Sequence, residues 1–259
     1  MGFLLETAML AVLLFVGMLG FSVAGRRLRT LRPQASEKEG RTGAALVESA
    51  VFALLGLLLA FTFVGAAGRF EARRMLITDE ANAIGTVYSR IDLLPASARP
   101  QMRELLASYT DARISVYADM SDLAVAQAAS AKAATLQVEI WRFALVVLED
   151  PNIRGHVPAL FITALNEMID ITTTRAAAVE NHPPTVIYLM LVMMSLIGAL
   201  LEGYANTGSK SRQWFYTIVL ALVMSTTLFV ILDLEYPRRG LIRIDQADHL
   251  LTELRASMK

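Results

Sequence analysis

Four long apolar stretches are the feature that most constrains how this chain folds. They cover residues 3–25, 44–67, 185–204 and 214–234, and the few carboxylates within them lie close to their ends. A helix needs about 20 predominantly apolar residues to cross a hydrocarbon core of about 30 Å. The sequence therefore predicts an all-α integral membrane protein with four transmembrane helices.

Composition supports this class and excludes several others. Hydrophobic residues make up 55% of the 259 residues and charged residues 19%, whereas soluble domains have about 45–50% apolar and about 25% charged residues. Lys plus Arg and Asp plus Glu both number 24, so no excess of positive charge favours a nucleic-acid partner. The absence of cysteine from the sequence excludes disulfides, cysteine-ligated metals and thiol catalysis.

The spans divide the chain into four predicted regions. These are a first transmembrane pair with a basic connecting loop (1–67), an extramembrane insert (68–183), a second transmembrane pair (184–235) and an amphipathic tail (236–259). The first span carries Glu6 where a signal peptide would be basic, so we expect a retained helix. Both termini lie on one side of the membrane. Basic residues flank the two sides in nearly equal numbers, so the positive-inside rule leaves the orientation open.

Apolar residues in the insert recur at helical spacing, which predicts water-facing helices over residues 75–94, 101–119, 123–150 and 158–180. A further short helix is predicted over 245–259. On the third insert helix, alternating spacings of four and three residues predict a buried face made of Ala134, Val138, Trp141, Leu145 and Leu148.

Motifs for catalysis are missing from the sequence. It contains neither a phosphate-binding glycine loop nor a dinucleotide-binding turn. The three histidines are far apart, and His182, beside Pro183, is expected at a helix cap or an interface rather than on a metal. We therefore predict no enzyme, no catalytic residue, no cofactor and no metal site.

Three acids near span ends are candidate intramembrane or interfacial groups. Glu202 shares a helical stripe with Ser195 and Gly198, so it faces either protein and water or, by extending outward, the interface. Asp233 and Glu235 precede Arg238 and Arg239, which favours an interfacial salt-bridge cluster.

The second span carries a stripe of small residues that ends beside two aromatic ones. The stripe and the aromatic pair are Ser49, Ala53, Gly56, Ala60, Phe61 and Phe63. In a ring of such helices these side chains would surround an axis, where hydrophobic constrictions can gate a pore. The alternative is close helix packing within one subunit.

Two polar clusters in the insert are candidates for lining a vestibule. Their members are Glu80, Asn82, Asn166, Glu167 and Asp170, with Asp79 beside the first pair. Carboxylates and amides suit a charged vestibule for ions. A solvated helix face or hydrogen bonds between helices is the alternative.

Several runs of residues resemble the bestrophin-like family of bacterial membrane proteins, a group largely of unknown function. The runs are Glu80-Ala81-Asn82-Ala83-Ile84-Gly85-Thr86 with Asp92-Leu93-Leu94-Pro95, Asn166-Glu167-Met168-Ile169-Asp170 with Thr173-Thr174-Arg175, and Leu232-Asp233-Leu234-Glu235-Tyr236-Pro237 with Gly240-Leu241-Ile242-Arg243-Ile244. The resemblance covers most of the chain after Glu48.

The resemblance implies a four-span subunit and, by analogy to bestrophins, a homo-oligomer, pentameric there, around an ion pore lined by the second span. Bestrophins close their neck with a characteristic aromatic and aliphatic set, and the resemblance implies Phe61 and Phe63 as stand-ins for it, without a position-by-position match. The acidic clasp that binds Ca²⁺ in animal bestrophins has no counterpart run here, so gating by Ca²⁺ is not carried over. That analogy would place the insert and both termini in the cytoplasm, whereas charge counting leans slightly the other way.

Our first hypothesis is therefore an oligomeric ion channel, multi-pass in a bacterial inner membrane, with the lipid bilayer and small inorganic ions as its partners. The rival is a non-conducting scaffold or sensor that recruits a partner through the insert. A third hypothesis is a transporter or membrane enzyme that uses Glu202, Asp233 or the carboxylates of the insert.

Overall fold

The computed structural model describes residues 2–31, 37–118, 123–153, 155–205 and 210–258, and within these ranges it contains α-helices and no β-strand. The eight α-helices of the described ranges are α1 (Gly2–Thr30), α2 (Glu37–Arg90), α3 (Arg99–Ala118), α4 (Leu123–Leu148), α5 (Val157–Glu180), α6 (Thr185–Ala205), α7 (Lys210–Glu235) and α8 (Asp245–Ser257). Four helical stretches are long and apolar enough to cross a membrane. The predicted fold class is confirmed.

The second span and the first helix of the insert form one continuous helix. Helix α2 has 54 residues, which corresponds to a length of about 80 Å. The segment 68–74, which joins the two predicted helices, contains no proline and only Gly68 as a poor helix former. Residues 75–90 are helical as predicted, but the predicted start of a separate helix at residue 75 is wrong, because the helix continues from the second span. Helix α2 ends at Arg90, where a 3₁₀ turn at Ile91–Leu93 and then Pro95 follow.

The chain divides into two compact units. Unit 1 comprises Met1–Phe70 and His182–Ile242. Apolar side chains from α1, α2, α6 and α7 meet in its core, which includes Leu14, Met18, Leu55, Leu191, Ala199, Ala221 and Leu228. A second, smaller cluster is made of Ala66, Ile231 and Leu234. Most remaining apolar side chains of these helices are exposed, as expected of residues that face lipid.

Unit 2 comprises Glu71–Asn181 and Arg243–Lys259. Its core is built from the last part of α2 together with α3, α4, α5 and α8; among its fully buried side chains are Ile84, Met102, Leu106, Tyr109, Ile140, Phe161 and Leu165. The tail belongs to this core, because Leu251 and Met258 are buried in it. Arg255 of α8 also pairs with Asp111 of α3, with Nε 2.8 Å from the carboxylate.

Helix α4 buries a different face from the predicted one. Ala134, Val138 and Leu145 are exposed, and Trp141 and Leu148 are half-buried. The buried side chains are Ala133, Leu136, Ile140 and Ala144. Both sides of α4 are apolar, so helical spacing alone does not distinguish the side that packs in this chain from the side that does not.

Candidate functional site

The small-residue stripe of the second span lies on the exposed side of α2. Ser49, Ala53, Gly56 and Ala60 are all exposed, and a Cβ atom placed on Gly56 would meet no atom within 4 Å. The opposite side carries Leu55, which is fully buried. The described part of this chain therefore leaves the stripe uncovered.

The two aromatic residues at the end of the stripe point in different directions. Phe61 is 68% exposed and Phe63 is 42% exposed. Residues two positions apart in an α-helix point about 200° away from each other around the helix axis. Thr62, which lies between Phe61 and Phe63, is buried. Phe63, three residues after Ala60, shares the face of the stripe, whereas Phe61 lies beside that face.

The two polar clusters of the insert meet in one groove. It has a volume of about 420 Å³ and lies between α2 and α5; its lining is Asp79, Asn82, Ala83, Thr86, Glu167, Asp170, Ile171 and Thr174. Asp79, Glu167 and Asp170 are exposed, and none of these three carboxylates forms an ion pair with any described residue. The groove is therefore acidic. Asn166 is exposed next to it in sequence and is not part of its lining.

Glu80 does not line this groove, because its side chain is buried beneath two arginines. Its carboxylate pairs with the Nε of Arg113 and the Nη1 of Arg175. Tyr117 accepts a hydrogen bond of 3.0 Å from Arg113, and the Arg175 guanidinium lies 4.1 Å from the centre of its ring. Burial opposes the charged form of Arg113, but the hydrogen bond and charge of Glu80 outweigh it and raise the pKa of Arg113. This cluster connects α2 with α3 and α5 inside unit 2.

Glu202 belongs to a buried polar network near one end of the spans. It accepts hydrogen bonds from Ser22 of α1 (2.8 Å) and from Thr217 of α7 (3.1 Å). Arg26 donates to the same Thr217 hydroxyl at 2.7 Å, and its guanidinium lies over the ring of Trp214. Ser195 and Gly198, which share the stripe of Glu202, are also buried, so this stripe faces protein.

Asp233 and Glu235 have separate partners at the end of the last span. The carboxylate of Asp233 accepts the backbone N–H groups of Leu241 (2.9 Å) and Ile242 (2.8 Å), which fixes the turn after α7. Glu235 is buried, and both its oxygens accept from Arg69 of α2, with Nε at 2.9 Å from Oε1. Asp233 therefore holds the loop that follows α7, and Glu235 connects α7 with α2.

The arginine partners of Glu80 and Glu235 are not among the predicted site residues, although Arg175 stands in the run Thr173-Thr174-Arg175. Arg69 lies two residues after the end of the second apolar stretch, and this position is the only local signal for it. Arg113 lies 33 residues and Arg175 95 residues from Glu80, a separation at which spacing gives no signal. In the described ranges, no group of three or more His, Cys, Asp or Glu side chains is arranged to hold a metal ion.

Comparison with known proteins gives one match to a family model and several solved structures with a similar fold. The model of the bestrophin-like domain matches residues 8–248. A crystal structure of a bacterial bestrophin homologue from Klebsiella pneumoniae, in a single-residue variant, has a TM-score of 0.72 at 12% identity and covers 97% of this chain and 98% of its own. A second variant has a TM-score of 0.68 at 14% identity, covering 95% and 100%. No curated protein sequence matches the chain.

Proposed function

Because the chain belongs to the bestrophin-like family, we propose that it is an oligomeric ion channel whose pore is lined by α2. The observation that carries the proposal is the uncovered stripe of Ser49, Ala53, Gly56 and Ala60. Of the four spans, the second is the least covered by the rest of the chain. In its most apolar stretch of 18 residues, 11% is buried, whereas 22% or more is buried in each of the other spans. A helix that faced lipid all round would gain nothing from small residues on one side.

Copies of the chain arranged in a closed ring would cover this stripe. Most homo-oligomers have closed cyclic symmetry, and the analogy to bestrophins suggests five subunits. Small side chains at the axis leave room for ions, and an aromatic ring at one level supplies a hydrophobic constriction. Phe63 is the gate residue in this proposal, since it shares the face of the stripe.

The acidic groove of unit 2 favours cations as the conducted ions. Its three carboxylates, Asp79, Glu167 and Asp170, have no ion-pair partner among the described side chains. Carboxylates lining a concave surface raise the local concentration of cations and lower that of anions. We place the channel in the bacterial inner membrane and leave the side of the insert unassigned.

Currents through a planar bilayer test the proposal. We expect purified wild-type protein to give discrete single-channel currents and Phe63→Ala to increase their amplitude, because the constriction widens. Phe215→Ala is the matched control, since Phe215 is exposed on α7 and is expected to face lipid. Silence from a well-formed oligomer across several ions and voltages would contradict a channel. A monomer or dimer that co-purifies with another protein would favour the scaffold hypothesis.

A further inference from the structure

Three side chains connect α2, α7 and the start of α6 next to the proposed gate. Glu235 is fully buried, and Arg69 holds its Oε1 and Oε2 atoms. The Nδ1 atom of His182 lies 3.2 Å from Oε2 of the same carboxylate. Arg69 follows Phe63 by six residues, or about 9 Å along the helix axis. A change in this cluster therefore acts on α2 close to the gate.

The imidazole of His182 is held in place by stacking. Its ring centre lies 4.6 Å from that of Tyr236, with an angle of 24° between the planes. Tyr236 in turn contacts Phe3 of α1, with ring centres 4.7 Å apart. The side chain of His182 is 29% exposed, so protons from solvent can reach it while its orientation towards Glu235 is fixed.

Protonation of this imidazole adds a charge at a defined point. Histidine is the side chain whose charge ordinarily changes between about pH 5 and pH 8. Glu235 and Tyr236 contact the ring, Arg69 shares the carboxylate, and Tyr188 of α6 lies within electrostatic range of Arg69. Since the strongest contacts of Arg69 are to Oε1, an imidazolium at Oε2 adds a second ion pair without displacing the first.

We propose that His182, Glu235 and Arg69 form a proton-sensitive clamp on α2. On acidification the clamp tightens, holds the part of α2 next to Phe63, and slows the opening and closing of the pore. The clamp rests on the proposed channel function and adds its regulation.

Single-channel dwell times at two pH values test the clamp. In the wild type, we expect open and closed dwell times to lengthen about threefold from pH 7.5 to pH 5.5, the effect of one partly exposed ion pair. His182→Gln keeps a hydrogen-bonding group without the charge, so its dwell times should be the same at both pH values. His249→Gln is the matched control: His249 is exposed on α8, and this variant should behave as the wild type.

Thermal unfolding of the same three proteins gives a second measurement that does not depend on currents. The melting temperature of the wild type should rise relative to that of His182→Gln when the pH is lowered, because only the wild type gains the ion pair. Dwell times that change equally in the wild type and His182→Gln, or in neither, would overturn the clamp and leave the channel standing. The absence of any current would contradict the proposed channel. The clamp would then be judged by melting temperature alone, and a difference between the wild type and His182→Gln that does not vary with pH would overturn it.

Discussion

The hydroxyl of Tyr109 lies in the interior of unit 2, where burial disfavours a charged phenolate. Its side chain is fully buried, and Gln137 donates a hydrogen bond of 3.2 Å to its oxygen. Burial, opposed in part by the charge of Arg113, raises the pKa of Tyr109 to about 12. An ordinary tyrosine in the unfolded chain has a pKa of about 10.

This difference predicts that unit 2 loses stability at alkaline pH. Between about pH 10 and pH 12 the unfolded state has released the phenol proton while the folded state retains it, so stability falls as the pH rises. At about pH 11.5 the loss should be about 2 kcal/mol relative to pH 9. Denaturant unfolding followed by circular dichroism measures it.

Tyr109→Phe is the control for this effect. Its stability should decline less between the two pH values, because it lacks the titrating hydroxyl. An equal decline in both proteins would assign the alkaline loss to other groups.

Glu80 illustrates the limit of sequence reasoning about single residues. The sequence groups Glu80 with Asp79 and Asn82 as one polar cluster, of which Asp79 and Asn82 line the acidic groove. Neighbouring residues on a helix differ by about 100° in direction, so Glu80 points to the opposite environment, where Arg113 and Arg175 bury it. Which of two adjacent acids faces water depends on partners far away in the sequence.

At the scale of elements, two glycines determine how closely α1 and α6 approach. A Cβ atom on Gly203 would overlap with the backbone carbonyl of Ser22, and one on Gly25 would overlap with that of Leu200. Such close contact of backbones is a common way for membrane helices to associate, since lipid gives no hydrophobic driving force between them. It also brings Ser22 within hydrogen-bonding distance of Glu202.

Gly203→Ala should therefore separate the two helices. We expect the free energy of unfolding to fall by about 3 kcal/mol, because the backbone must move to admit the methyl group. Gly20→Ala on α1 is the control, because no atom lies within 4 Å of the added Cβ. It should raise the free energy of unfolding by no more than about 1 kcal/mol, since alanine favours the helix. Unfolding in mixed micelles with increasing SDS measures both. Similar losses in the two variants would show that the close approach of α1 and α6 is not what stabilises unit 1.

The elements that follow from strong local signals were predicted well. Apolar length specifies a span almost by itself, and prolines near residues 95, 158 and 184 mark where helices begin or end. The joint within α2 and the packed face of α4 were predicted wrongly. In both cases the sequence permits two structures locally, and contacts with other helices decide between them.

For the whole molecule, a formal net charge of zero conceals an uneven distribution. The buried acids Glu80 and Glu235 are neutralised by arginines, whereas the carboxylates of the groove are not. In the proposed ring, every subunit would carry the same uncompensated carboxylates, so the total uncompensated charge would grow with the number of copies. Charges of this kind act through the local potential and are screened by salt.

Removing the charge of the groove should reduce the preference for cations. If the groove carboxylates select the ion as proposed, the current of the wild type in a gradient of potassium chloride should reverse near the equilibrium potential of potassium, because negative charge favours cations. The triple variant Asp79→Asn, Glu167→Gln, Asp170→Asn should reverse closer to zero, and the shift should be largest at low ionic strength. The control removes the same number of charges at three exposed acids outside the groove, with Glu104→Gln, Glu139→Gln and Glu253→Gln. Equal shifts in the two triple variants would show that the overall charge of the oligomer, and not the groove, selects the ion.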